Sequence, residues 1–408
     1  MFKLNGLEED IYSLLLALSL ALVIGKLLED LAIRVNLPPV IGDLLGGLIL
    51  GASFLAIYPV TSTIETLAWF GVILLLFYAG METRYRTFMR NLGIYGMITI
   101  GEALAAFTVG YLIGTLFGYP PLSSFFIGAV LEATSVSVSI KTLIDIGKLA
   151  TPEGYAILGV AVLDDLAALI TIIVGKSLIS KGIVDPILVV EILVTSIAFW
   201  FLLVITLHKA SNVILLKAMK LRVSEGAVAI VLGIFAFLAY ATKYVELSPL
   251  IAAYAAGLAL SEARGVGRIA ERIRPLALIL STLYFTSITA SLDIKAVVRS
   301  EFIVFYLLFI LGAVAGKVLG AGLTSYLIGF PKISALRIAT GLLPRAEFCI
   351  IAAYVGYTAG LFGGEVYLAA ILVVFTTNIF TPVIIKTLFT RGPEIDYVRL
   401  RIRRGLSV

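Results

Sequence analysis

Two adjacent aspartates, Asp164 and Asp165, sit near the middle of an apolar run of about 26 residues, GYAILGVAVLDDLAALITIIVGKSLI. A charged side chain at the centre of a membrane helix costs about 2.5–3.5 kcal/mol on insertion, so such a pair requires water, partners or protons supplied by the fold. Lys317, Arg345 and Glu347 also fall inside apolar runs. These five charges together cost on the order of 12–17 kcal/mol, comparable with the stability of a whole domain. Charges held at that cost mark a pathway for ions or protons.

Consecutive residues on a helix point about 100° apart, so the two aspartates cannot both face one small target. Lys317, in LFILGAVAGKVLGAGL, has no charged neighbour in its own run and needs a partner from another helix. One aspartate is expected to pair with it. The other is expected to face a wet cavity and trade protons for a cation, with its proton affinity set by desolvation and neighbouring charge. A desolvated lysine can likewise give up a proton when an ion displaces it. For Arg345 and Glu347 the competing roles are compensation of helix dipoles and a structural ion pair. Glu102 reads as structural, Asp43 and Glu191 as interfacial because they lie near run ends, and the single histidine, His208, as a solvated helix-end residue.

The elements that must position these groups are membrane helices. Of 408 residues, 60% are hydrophobic and 14% charged, with a mean hydropathy of +1.08, against roughly 25% charged residues in soluble domains. One cysteine, Cys349, and one histidine exclude an intrachain disulfide, a CxxC site and a histidine-based metal cluster. Proton chemistry therefore falls to carboxylates and lysine. The formal charge of +5 is explained by membrane topology and calls for no nucleic-acid partner. The first apolar run lacks a basic leader, since Lys3 is outweighed by Glu8, Glu9 and Asp10, and reads as a retained helix.

Apolar runs of about 17–29 residues give an all-α polytopic membrane protein of about thirteen transmembrane helices. The site residues fall in runs 122–146, 153–178, 301–328 and 333–361. Lysines and arginines gather on one side, as at Arg84, Arg86, Arg90, Lys209, Lys217, Arg264 and Arg272, while Lys181 and Lys243 are on the other. The positive-inside rule then places the N-terminus outside and the C-terminus in the cytoplasm of a cell-membrane protein.

The chain also repeats itself. LPPVIGDLLGGLIL from Leu37 and LSPLIAAYAAGLAL from Leu247 match at an offset of 247 − 37 = 210. The same offset pairs Gly80 with Ala290 and Thr134 with Pro344. The matched spans are seven crossings apart, so the copies run in opposite directions, which is the inverted-topology repeat of secondary transporters. Interrupted helices are expected at corresponding places. LEATSVSVSIKT sets Thr134, Ser135, Ser137 and Ser139 among β-branched valines, and GLLPRAEF puts Pro344 in mid-span.

Taken in order, Ala133-Thr134-Ser135, the LDD of Leu163 to Asp165 preceded by GVAV, Lys317, and Pro344-Arg345-Ala346-Glu347 resemble the paired-aspartate Na+/H+ antiporters of bacteria and archaea. These form the second family of the monovalent cation:proton antiporter superfamily. The resemblance covers nearly the whole chain. It implies two crossed broken helices and a homodimer in membrane lipid, with no resident cofactor beyond transported Na+ and H+ and no soluble partner. It further implies a dimerisation domain over 11–81 and 223–292, an ion-transport core over 91–178 and 301–389, a linker helix over 183–208, a cytoplasmic tail over 390–408, and elevator-like movement of the core. By the same resemblance Asp165 binds the cation and protons, Asp164 pairs with Lys317, and Thr134 sits at the crossing beside Ser135 and Pro344. Exchange is then electrogenic, and Na+ would be held by Asp165, Asp164 and Thr134. Glu132 departs from the family, where a small residue is more frequent, and adds a carboxylate that joins Arg345 and Glu347 in the charge balance. A cytosolic nucleotide-binding domain, present in many potassium-releasing relatives, is not expected here, which favours sodium over potassium.

Three other readings compete. An intramembrane aspartyl protease needs two carboxylates sharing a proton across facing helices, whereas these diverge from one helix. A channel or a sodium-coupled symporter could use the same polar breaks.

Overall fold

The computed structural model describes residues 4–183, 186–223, 225–245, 248–291 and 302–390. Among the described residues the regular elements are helical. In chain order they are α1 (Leu4–Arg34), α2 (Val40–Leu50), α3 (Ser62–Glu82), α4 (Tyr85–Leu116), α5 (Pro121–Glu132), α6 (Ser137–Asp145), α7 (Pro152–Lys181) and α8 (Pro186–Ala218). There follow α9 (Gly226–Ala241), α10 (Pro249–Leu260), α11 (Val266–Ala290), α12 (Ile303–Lys317), α13 (Leu323–Ile328), α14 (Lys332–Gly341), α15 (Glu347–Thr358) and α16 (Gly364–Thr390). A π-helical turn, Val318–Gly322, joins α12 to α13.

Among the described residues ten stretches are long and apolar enough to cross a membrane, and three shorter apolar helices fall at Val40–Leu50, Pro249–Leu260 and Phe348–Thr358. Each falls within or overlaps one of the apolar runs of the sequence. At 1.5 Å per residue the short helices are about 16–18 Å long, roughly half the hydrocarbon thickness. By length and composition alone, ten of the described stretches qualify as crossings and the three short helices do not. Other limits also shift. The seventh run continues past 208 to Ala218 because apolar residues return after Lys209. The tenth starts at Val266, with Pro275 inside the helix. Past Thr390 the expected tail lies outside the described residues.

Helix starts follow local chemistry. Thr151 Oγ1 accepts from Gly154 N (3.1 Å) with Pro152 at the first helical position of α7, and Ser248 Oγ accepts from Leu250 N (3.2 Å) before Pro249 opens α10. Both are N-caps that satisfy an otherwise orphaned amide.

The offset of 210 recurs in three dimensions. The short helices α2 and α10 correspond, as do the long α3 and α11, and the backbone leaves the helix at 133–136 and again at 342–346. α3 packs along both α10 and α11, with its backbone directly against α10. A Cβ added at Gly80 would lie 2.3 Å from Tyr254 O, and one at Gly257 would lie 2.1 Å from Phe77 O. Such small-residue contact is how membrane helices gain packing without a hydrophobic drive between them. α5, α7, α12, α15 and α16 share a second apolar cluster around Phe126, Leu131, Phe309 and Val373, and α4 packs against α5, α7 and α12.

Candidate functional site

The two helix breaks meet. Glycine, two leucines and then Pro344 end α14, because Pro344 offers no amide and disfavours helix at the residue before it. On the other strand of the crossing, α5 ends at Glu132 and α6 restarts at Ser137. Ser135 N donates to Pro344 O (2.8 Å), and Ser139 Oγ donates to Gly341 O (2.7 Å). Ascending numbers on one segment face descending numbers on the other, so the segments cross antiparallel. Of the residues expected at the crossing, Ser135 and Pro344 are in direct contact, and Thr134 lies in the same non-helical segment as Ser135.

Each broken end is met by charge. The guanidinium of Arg345, fully buried, donates to Leu342 O (3.1 Å), Leu343 O (3.0 Å) and Leu131 O (2.9 Å). It therefore caps the carbonyl ends of α14 and α5 together, where helix dipoles are negative. Asn378 Nδ2 on α16 holds Arg345 O at 3.0 Å. Dipole compensation, one of the two roles read for Arg345, is what its contacts describe. The side chain of Glu347 lies outside the described residues.

Lys317 is also fully buried, and its Nζ donates to Glu132 O (2.6 Å), a further carbonyl at the end of α5. Its carboxylate partner is Glu102 of α4, through Oε2. Asp164 Oδ1 stands 3.9 Å from the ammonium. Lys317 thus forms an ion pair with Asp164, as expected, and the structure adds a nearer partner that the sequence reading did not assign, Glu102. Asp164 also accepts at Oδ2 from the Thr134 amide (2.9 Å), freed by the helix break. Asp164 is fully buried, whereas Asp165 is half-buried. The 100° step between neighbours has given them different surroundings, as argued from the helix period.

Glu132 is buried and accepts from Thr171 Oγ1 (3.1 Å). Four buried oxygens around the crossing have no hydrogen-bond donor: Glu102 Oε1, Glu132 Oε2, Thr134 Oγ1 and Asp164 Oδ1. An oxygen-only set of this kind suits hard cations and protons. Among the described residues no three His, Cys, Asp or Glu side chains converge as a chelating group. A cation here would be held by carboxylate together with hydroxyl, carbonyl or water.

Glu102, read as structural, lies mid-helix in α4 and is the direct ion-pair partner of Lys317. Two other residues sit differently from expectation. Asp43, expected at an interface, is fully buried. His208 is stacked on Tyr85 with ring centroids 3.7 Å apart, and its Nδ1 lies 3.1 Å from Ala259 O; it packs between helices and is not a solvated end.

Antiparallel broken helices crossing beside buried carboxylates and lysine, in a multi-pass helical membrane protein, define a secondary cation transporter and not an enzyme. The chain belongs to the family described as sodium/hydrogen exchanger, transmembrane, which it matches over residues 18–391. It is 33% identical to the probable Na(+)/H(+) antiporter GerT of Bacillus cereus, over 90% of this chain and 97% of that one. It is 29% identical to the Na(+)/H(+)-K(+) antiporter GerN of the same organism, over 91% and 95%. Its fold is similar to that of the sodium proton antiporter MjNhaP1 from Methanocaldococcus jannaschii, with a TM-score of 0.72 at 20% identity, over 99% of this chain and 98% of that one.

Proposed function

We propose that this protein exchanges Na+ or Li+ for H+ across the cell membrane, with the cation and proton competing at Asp165 and Asp164. The observation that carries the reading is the contrast between the two aspartates at the crossing. Asp164 is fixed by the Thr134 amide, and Asp165, one residue on, keeps partial exposure. A cation reaching Asp165 would complete its shell from Asp164 Oδ1 and Thr134 Oγ1, which have no donor in this structure. Protonation of the same carboxylates would discharge it. Lys317 and Arg345 offset the remaining negative charge, and Glu132 adds to it.

In this reading the core over 91–178 and 301–389 moves past a dimerisation domain over 11–81 and 223–292, linked by 183–208, with the N-terminus outside and two copies per assembly. Two protons for one sodium would make exchange electrogenic, and one net charge is worth about 2.3 kcal/mol per 100 mV. The second proton is carried either by Asp164 or by Lys317, which would give it up when the cation takes Asp164, 3.9 Å away, from it. The Glu102 contact supports a second reading: a lysine kept charged by Glu102 takes no part in proton transfer, and exchange is one for one. Potassium is the alternative cation, as the name of one relative suggests.

Proton flux in proteoliposomes under an imposed proton gradient tests this, with sodium, lithium or potassium added and the potential clamped or free. Cation-dependent flux that responds to potential is expected. Flux indifferent to potential favours the one-for-one reading, and no cation-dependent flux overturns exchange.

A further inference from the structure

A cavity of about 310 Å³ lies on the side of the membrane where Arg84, Arg86 and Arg90 gather. It is separate from the crossing: Pro152 forms part of its wall, and Asp164 is 164 − 152 = 12 residues further along α7, about 18 Å. Three helices begin around it. α4 contributes Arg84, Thr87 and Asn91, α7 contributes Pro152 and Tyr155, and Phe330 stands beside Pro331, which precedes α14. The starts of α4 and α14 have no side-chain cap. Helix starts point amides outward and carry positive partial charge, and the Arg84 guanidinium adds a full one. The acids near these starts are engaged with arginines of their own. Glu153 Oε1 accepts from Arg337 Nη1 (3.0 Å) and Ser334 Oγ (2.9 Å), and Glu262 pairs with Arg86 (3.3 Å).

Asn91 shows what else the cavity lacks. It is only 4% exposed, and its Nδ2 donates to Thr87 O (2.9 Å), which fixes the carboxamide. Its Oδ1 is buried in the cavity wall and accepts from no donor. A buried acceptor left without a donor is costly, and a carboxamide oxygen is completed by a hydroxyl or an N–H, not by an anion's oxygen. The cavity therefore asks for two groups in one molecule, an anion at Arg84 and the helix starts and a donor at Asn91. Ile94, Pro152 and Phe330 supply apolar surface between them. Its volume is that of a small-ligand pocket.

We propose that this cavity binds a hydroxyl-bearing phosphate ester of the glycerol phosphate type, with the phosphate facing Arg84 and the helix starts and a hydroxyl donating to Asn91 Oδ1. Anions bind at helix starts because amides and dipole act together there. The same chemistry is offered by the headgroup of phosphatidylglycerol and by free glycerol phosphate. An occupant would touch α4, α7 and the segment leading into α14 at once. The Tyr95 wall already bears on α7, since a Cβ at Gly159 would lie 2.1 Å from the Tyr95 ring. Binding should therefore hold together the helices that carry Glu102, Asp164 and the break at Pro344.

Calorimetry and thermal unfolding of the delipidated full-length protein in detergent test this, with glycerol phosphate, inorganic phosphate, dihexanoylphosphatidylglycerol and dihexanoylphosphatidylcholine as probes. Glycerol phosphate should bind about tenfold more tightly than inorganic phosphate, the effect of one buried hydrogen bond, and should raise the melting temperature because it binds the folded form. Asn91→Leu should erase that preference while keeping phosphate binding. Arg84→Gln should weaken both ligands alike, and because Arg84 is exposed this variant keeps the test decisive if Asn91→Leu does not fold. Tighter binding of dihexanoylphosphatidylglycerol than of glycerol phosphate would assign the cavity to a lipid headgroup, and equal affinities to a free ester. No binding, equal affinity of the wild type for glycerol phosphate and inorganic phosphate, equal response to the phosphatidylcholine, or affinities unmoved by Arg84→Gln would each overturn the proposal. No transport is measured and none of these residues belongs to the crossing, so the result stands or falls apart from the exchange reading.

Discussion

Lys317 of α12 meets Glu102 of α4 directly, while Asp164 of α7 waits 3.9 Å from the same ammonium. The lysine is therefore held by a group outside the aspartate pair, with a second acceptor in reach. Glu102→Gln should leave Lys317 charged and drive it onto Asp164. The loss of a buried partner costs on the order of 3–5 kcal/mol, and the lysine would then compete with the cation. A lower melting temperature and a higher sodium KM are expected from thermal unfolding and vesicle flux. Wild-type values for both would show that Glu102 is not the lysine's counter-ion in the working protein.

Asp165→Asn keeps the size and removes the charge of the half-buried aspartate. Exchange should be abolished while the purified protein still elutes as a folded species, because the substitution keeps the side chain's size and leaves the Asp164–Thr134 and Ser135–Pro344 hydrogen bonds in place. Full flux in this variant would end the assignment of the cation to Asp165.

Lys317→Ala strips Glu102 and Asp164 of their shared cation and the Glu132 carbonyl of its donor. Stability should fall by an amount similar to Glu102→Gln, since the same pair is broken. If the lysine carries a transported proton, the dependence of flux on membrane potential should change as well. Flux measured at several clamped potentials separates these effects: a loss of stability with unaltered voltage dependence would confine Lys317 to a structural role.

The turn after Lys317 depends on a glycine. A Cβ at Gly320 would lie 2.5 Å from the Glu102 Cα, so α4 and the π-helical turn touch through backbone at the level of the ion pair. Gly320→Ala should cost about 1–3 kcal/mol as overpacking and displace Glu102, lowering exchange. Gly93→Ala, with nothing within 4 Å of the added carbon, is the matched control and should be neutral or slightly stabilising by helix propensity. Equal melting temperatures for the two variants would contradict the close contact.

The candidate site residues were legible because lipid makes charge conspicuous. Asp164, Asp165, Lys317 and Arg345 each stand out against apolar neighbours, and Pro344 and the serines mark where a helix must break, whatever the rest of the fold does. The repeat offset located the partner of each break. Packing alone decided which charge meets which. Lys317 sits among apolar residues in its own run, so nothing local could choose between Asp164 and Glu102; the choice came from α4 lying against α12 at Gly316 and against the π-helical turn at Gly320. Asp43 is a similar case, since a residue four positions into a short helix looks interfacial until α1 and α11 close over it. Side-chain type and spacing are set by the chain itself, whereas burial and pairing are properties of surfaces brought together from residues as far apart as Asp43 and Thr282, 239 positions in sequence.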